Sequence, residues 1–505
     1  SKMYRRTSII ICLIILALAA YAGGARYSCT RHLDKTVRTR GFLGYPSRDW
    51  DPQRTYRQAV ILVTFKDQDF TSDDPVAHYQ RMLNERGYNE GDGAGCAADY
   101  YRDQSGGLLN LQFDVYGPVR VDTVVKGNGK DNYGDYVVRK ATRLAIDSLQ
   151  VDFSPYDWDN DGKVDQVIFI AAGFCGQVGG GYIWPNTGSM YGLKSGNLSI
   201  PTYSISCELW GDGASCGIGT ICHEFAHCLG LPDLYPVNGV VFSAVDEWDL
   251  MDGGNYTNKG WCPPNFSALE KMLLGWATPE ELTSPTKISG MKSVADGGKT
   301  YLIRNSGHEN EFYLLENRQW KDWDYGVPGQ GLLITHVDYD REVWSDNNVN
   351  IDKNHFRYAV VHADGLDYSA WESLVKAERR PKYTEEPDLR NSFLSSSVYP
   401  WKTDSTTFIN AELSNGSIPA AVVFKANKDG DYYLSKPITN IRLSASGEVS
   451  FDFMQIPSGL STLPSQTSVP VAYYDLSGHR LSGPPSAPGI YIARYADGTT
   501  KKVFR

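Results

Sequence analysis

The sequence predicts an α/β domain, then a β-sandwich-like region, then a small C-terminal β unit, and three observations carry this expectation. Strand-like and helix-like segments alternate up to about residue 275. Beyond Glu280 the pattern changes to short alternating segments divided by Gly, Asp and Asn. The stretch Ile456 to Pro470, rich in Ser, Pro and Thr, has linker composition and sets off the final residues. Alternation of strands and helices favours an α/β domain, and serial short strands favour a sandwich or an extension of an existing sheet.

The elements follow in order. Ala59-Val60-Ile61-Leu62-Val63-Thr64-Phe65 is a continuous apolar run closed by Lys66 and Asp67, which predicts a buried strand. Residues 76 to 87 and Ala97 to Gln104 read as helices, and Leu111 to Val115 alternates as a strand. Tyr136 to Leu149 has helical spacing, and Val167 to Ala172 is a second buried strand. Downstream, Lys299–Arg304, Glu311–Glu316, Gly331–Val337, Tyr358–His362 and Ala420–Lys425 read as short strands. In the tail, Gly489–Ile492 and Lys501–Phe504 flank an Asp497-Gly498 turn, a hairpin signal.

Composition sets the outer bounds. The 505 residues suffice for several cores, and 41% apolar with 12% aromatic content is globular. A net charge of −10 leaves no basic footprint for nucleic acid. Lys2, Arg5 and Arg6 precede the apolar run Ser8 to Ala20, and Ala20-Tyr21-Ala22 offers a small-x-small cleavage site. This reads as a signal peptide over 1–22; the run is short for a spanning helix, and the alternative is an uncleaved anchor. The expected organisation continues with a tail or pro-segment at 23–50, a catalytic domain at 51–285, a β-rich region at 286–455, a linker at 456–470 and a small β tail at 471–505. Export leaves Cys29, Cys96, Cys175, Cys207, Cys216, Cys222, Cys228 and Cys262, an even number that permits disulfides without specifying them. They could equally be buried thiols. No Cys-x-x-Cys pair suggests a thiolate zinc site.

The decisive stretch is Cys222-His223-Glu224-Phe225-Ala226-His227-Cys228-Leu229-Gly230-Leu231-Pro232-Asp233. Two histidines four residues apart share one helical face, so both imidazoles can reach one ion. Glu224, beside the first, is placed to act as general base. Gly230 can end the helix in a left-handed conformation, and the turn returns Asp233 as a third ligand. Two imidazoles and a carboxylate with a fourth position open form a catalytic rather than a structural zinc site.

The longer pattern His-Glu-x-x-His-x-x-Gly-x-x-Asp resembles the metzincin clan, in the branch with Asp as third ligand. Trp248-Asp249-Leu250-Met251-Asp252-Gly253-Gly254 resembles its Met-turn, which implies that Met251 supports the metal from below. Ser267-Ala268-Leu269-Glu270-Lys271 with Leu274-Gly275-Trp276 extends the likeness to immune inhibitor A-type secreted peptidases, as do Glu316-Asn317-Arg318 and Pro328 to Asp338. The resemblance covers roughly residues 55 to 425 and implies an α+β metzincin-like catalytic fold with Zn2+ as cofactor and proteins or peptides as substrates. His336 and His362 read as structural residues outside the zinc site.

Asp157-Trp158-Asp159-Asn160-Asp161-Gly162-Lys163-Val164-Asp165 follows the start of a calcium loop, making Asp157, Asp159, Asp161 and Asp165 candidate Ca2+ ligands. Ile168 stands where an EF-hand has its bidentate Glu, so a full EF-hand is excluded; the alternative is an acidic turn with Asx hydrogen bonds. The tail, with Tyr473-Tyr474-Asp475-Leu476-Ser477-Gly478-His479-Arg480 and Pro488 to Ile492, resembles the C-terminal sorting domains of type IX secretion. That likeness implies contact with a secretion machinery and a bacterial, secreted or cell-surface protein with no spanning segment once the signal is removed. The alternative is a small binding module. The expected activity is zinc-dependent endopeptidase; the rivals are a surface adhesin with a secondary zinc site and a zinc hydrolase of non-peptide bonds.

Overall fold

The computed structural model describes residues 48–127, 133–238, 244–366, 394–402 and 409–455, with short stretches between 470 and 504. The expected signal peptide, Cys29, most of the 456–470 linker and the Asp497-Gly498 turn lie outside the described residues. The chain is mixed α/β with several sheets and few helices, and it divides into two compact units, 1–455 and 456–505.

The first sheet is built on β1 (Thr55–Thr64), flanked by the parallel strands β2 (Asn110–Arg120) and β3 (Val167–Phe174). Between β1 and β2 lie α1 (Pro75–Asn84) and α2 (Ala97–Gln104); α3 (Tyr133–Asp147) follows β2. Asp74 caps α1 by accepting from the Ala77 amide, with Pro75 in the first turn. β4 (Asn186–Ser189) and β5 (Thr202–Leu209) complete the sheet in the order β2-β1-β3-β5-β4, with β4 the antiparallel edge.

Period-two alternation along β1 divides the sheet between two layers. Val60 and Leu62 face a core that includes Phe225 and Leu269, while Ala59, Ile61 and Val63 face Val137, Val138 and Ala141 of α3. Each fully buried aliphatic side chain of this kind contributes roughly 1.5–3 kcal/mol. β5 has no apolar run, yet all eight of its residues are buried because it lies inside the sheet with both faces covered.

The chain then forms α4 (Gly219–Leu229) and α5 (Ala268–Leu273). Ser267 and Glu270 form a reciprocal capping box on α5. Beyond it, β6 (Thr286–Met291), β7 (Tyr301–Asn305), β8 (His308–Arg318), β9 (Gly331–Asp338), the short α6 (Arg341–Ser345) and β10 (Tyr358–Val360) follow. β7 to β10 make an antiparallel sheet, extended by Glu280–Glu281 pairing parallel to β7. β6 joins β11 (Ile438–Leu443) and β12 (Val449–Phe453) in a second antiparallel sheet. Ile288, Ile303, Leu315, Ile334, Ile441 and Phe451 from these two sheets share one core. The opposite face of β8 and β9, through Phe312, Leu314, Leu333 and Val337, belongs to the same core as α4 and β1.

The expected strand Ala420–Lys425 is not one. Only an isolated bridge between Val422 and Tyr433 forms there, because Glu311 binds the Phe424 and Lys425 amides in place of a neighbouring strand. In the second unit, β13 (Ala472–Tyr474), β14 (Ile490–Arg494) and β15 (Thr500–Phe504) form an antiparallel meander. No disulfide joins any of the seven described cysteines, all of which are buried.

Candidate metal centre

α4 places His223 and His227 one turn apart, their rings 4.8 Å apart between centroids. The helix ends at Gly230, whose φ of 111° is left-handed and whose amide bonds back to Ala226 and His227. A side chain at that φ would be strained, so glycine is what lets the chain reverse there. Pro232 and Asp233 follow, and the Asp233 carboxylate returns to the face carrying the two imidazoles. Its Oδ1 lies 3.3 Å from His223 Nε2 and 3.2 Å from His227 Nε2, and the two Nε2 atoms are 3.2 Å apart.

The donor set fits a divalent cation. His223 Nδ1 bonds to the Leu250 carbonyl at 2.7 Å and His227 Nδ1 to the Leu231 carbonyl at 2.8 Å. With both Nδ1 atoms donating to carbonyls, neutral rings present lone pairs at Nε2. Asp233 Oδ1 is buried and makes no hydrogen bond. Two lone pairs and an anionic oxygen thus converge among buried side chains, which is costly unless a positive charge sits among them. In the protein alone a proton partly does this: burial opposes charge on His223, but the close approach of the Asp233 carboxylate and the charge of Glu224 raise it to about 9. For Asp233, burial acts against ionisation, and the two histidines overcome it to hold the carboxyl well below its ordinary range.

Glu224 is buried beside this cluster. Thr187 on the edge strand β4 sits 2.9 Å from Glu224 Oε2 and donates from its hydroxyl, with the Glu224 carbonyl at 2.7 Å as a further acceptor. Burial is the main cause raising the Glu224 carboxyl above its ordinary value, with the two histidines opposing. Such a group is set up to take and return a proton.

Met251 is fully buried in the core shared with α4, and its carbonyl accepts from the Leu234 amide next to Asp233. Asp249 Oδ1 accepts from the Met251 amide, and Asp252 Oδ2 from those of Val245 and Asp246. The turn therefore holds two members of the cluster through its backbone: His223 through Leu250 and the return loop carrying Asp233 through Met251. Beneath it, Arg318 makes a two-pronged ion pair with Asp324, both fully buried.

The other expected sites divide. Asp157, Asp159 and Asp165 bring carboxylate oxygens within 4.8 Å of one another, without Asp161. Asp161 turns to the Lys163 amide and ammonium instead. Asp157 accepts from the Asp161 and Gly162 amides; Asp165 pairs with Arg48 and accepts from the Trp158 amide. His336 binds Glu311 and stacks between Tyr313 and Phe424, and His362 bonds to Ser397, so neither joins the centre. Thr187 and Asn347, which touch Glu224 and Asp233, carry no local sequence signal and were not legible before the fold.

Residues 53–276 match the family described as Immune inhibitor A peptidase M6, catalytic domain. Over this segment the chain is similar to that metallopeptidase family. Over 329 residues it is 29% identical to Immune inhibitor A of Bacillus thuringiensis subsp. alesti, covering 53% of this chain and 46% of that protein. Over 291 residues it is 24% identical to Pre-pro-metalloprotease PrtV of Vibrio cholerae serotype O1 (strain ATCC 39315 / El Tor Inaba N16961), covering 48% of this chain and 30% of the relative. The chain thus spans less than half the length of these curated relatives. Within the matched segment, α4 and the return loop contribute the whole His-His-Asp cluster.

Proposed function

We propose that this protein is a zinc-dependent endopeptidase, with His223, His227 and Asp233 as metal ligands, Glu224 as general base and acid, and Met251 as the supporting Met-turn residue. The observation that carries this reading is the convergence of the three ligand atoms within about the same 3.2–3.3 Å, with Asp233 Oδ1 free of hydrogen bonds. Zinc held there would supply Lewis acidity, polarising a scissile carbonyl and acidifying a water. Glu224 takes the proton of the attacking water and returns it to the departing amine, so charge balances across the cleavage. Thr187 orients the carboxylate for both transfers. The carbonyls of Leu231 and Leu250 hold both imidazoles in the tautomer that leaves Nε2 available.

The finer parts of the reading rest on sequence. Export through the 1–22 segment and a sorting role for the 471–505 tail are supported by their composition and likeness, and a sandwich over 286–455 by the two sheets sharing a core. Among the described residues no helix is long and apolar enough to cross a membrane. Calcium at Asp157, Asp159 and Asp165 is supported by their spacing, with a bracing role.

The test is casein hydrolysis by the full chain with and without chelator, alongside metal analysis and Glu224→Gln. Activity that chelation removes, zinc restores and Glu224→Gln abolishes is expected. A zinc-loaded wild-type chain that cleaves nothing would overturn the reading in favour of a binding protein.

A further inference from the structure

The third ligand is held from outside the family-matched segment. Asn347 follows α6 in a left-handed conformation (φ 57°), which asparagine tolerates better than other side chains. Its Oδ1 accepts from the Asp233 amide at 2.6 Å, and its Nδ2 donates to Asp233 Oδ2 at 2.8 Å. One amide side chain thus grips both the backbone and the carboxylate of one residue. The orientation is unambiguous, because an amide N–H requires an acceptor and a carboxylate requires a donor.

We propose that Asn347 is a positioning residue of the metal centre: by occupying Oδ2 it turns Oδ1 toward the two imidazoles. This deepens, and rests on, the assignment of His223, His227 and Asp233 as zinc ligands. The bond matters because Asp233 is wholly buried, so no water can replace a lost donor. Neighbouring contacts support the clamp. Asn350 donates to the carbonyls of Leu234 and Tyr358 and accepts from the Tyr358 amide, tying the residue after Asp233 to β10. Asn238 donates to the Ile351 carbonyl. The loop between α6 and β10 therefore grips the return loop at three points, and the centre is incomplete without the β-rich region.

Second-sphere partners of this kind typically change metal affinity about 10- to 100-fold when removed. The experiment measures zinc affinity of the full chain by competition with a chelator of known affinity, for wild type, Asn347→Ala and Asn347→Asp. Asn347→Asp keeps the size and the acceptor for the Asp233 amide but removes the donor. Both variants are expected to bind zinc about 10- to 100-fold more weakly. In each, the visible spectrum of the cobalt-loaded chain should shift. In metal-free Asn347→Ala, hydrogen exchange at the Asp233 amide should accelerate; unfolding temperatures of the metal-free chains establish that the variants fold. Wild-type zinc affinity and an unchanged cobalt spectrum in a folded variant of either kind would overturn the proposal. A wild-type chain that binds no zinc would instead overturn the zinc assignment, and the proposal with it.

Discussion

The two clusters able to hold a cation, His223-His227-Asp233 and the acidic 157–165 loop, differ in what surrounds their carboxylates. Asp233 is fully buried, and its Oδ1 faces only two imidazole nitrogens. In the 157–165 loop, Asp159 is exposed, Asp157 is satisfied by backbone amides, and Asp161 and Asp165 have Lys163 and Arg48 as counter-cations. A solvated carboxylate tolerates an absent ligand; a buried one demands a cation or a proton. Elsewhere in the chain both answers occur. Asp338 gathers Arg357, Lys425 and His355, whereas Glu316 is raised to about 7, chiefly by burial, with Arg318 and Lys271 opposing.

The comparison can be broken or sharpened by measurement. The largest effect is expected from Glu224→Gln, which should lower kcat/KM for casein by about 10²–10⁴-fold with zinc content unchanged. Loss of zinc from that variant would mean Glu224 acts as a ligand. Next, chelation should destabilise the chain by about 4 kcal/mol, measured against a sample with free zinc a thousandfold above its dissociation constant. Equal denaturation midpoints in the two samples would show that the buried cluster needs no ion.

Glu316 gives a smaller effect with a defined sign. Its folded value is above the ordinary 4.5, so the folded chain binds more protons than the unfolded one between about 4.5 and 7. Its contribution is fully present below 4.5 and is lost as pH rises through 7. The unfolding free energy of wild type relative to Glu316→Gln should therefore fall by on the order of 3 kcal/mol across that interval. A flat difference would refute the raised value. The smallest change belongs to the acidic loop: calcium at tenfold its dissociation constant should stabilise the chain by about 1.4 kcal/mol, and Asp157→Ala should erase this without altering zinc content.

What was legible in the sequence follows the range of the interactions. The helix with His223 and His227, the Gly230 turn and Asp233 lie within eleven residues, and local spacing exposes them. The β1 and β3 strands were equally plain as apolar runs. β5 was not, because Thr202, Ser204 and Ser206 break the hydrophobic signal; tertiary burial, rather than composition, makes Thr202–Leu209 an inner strand. Ala420–Lys425 had the alternation of a strand but pairs only through an isolated bridge to Tyr433. Asn347 could not be found at all, since its contact with Asp233 spans 114 residues and asparagine is common in loops.

The apolar core that α4 shares is completed partly by Phe312, Leu314, Leu333 and Tyr358, all downstream of residue 276. Cutting the polypeptide there would strip one wall from that interior and leave greasy surface facing water, inviting aggregation before any chemistry could be observed. The smallest piece worth purifying consequently extends to about residue 455, where the first compact unit closes.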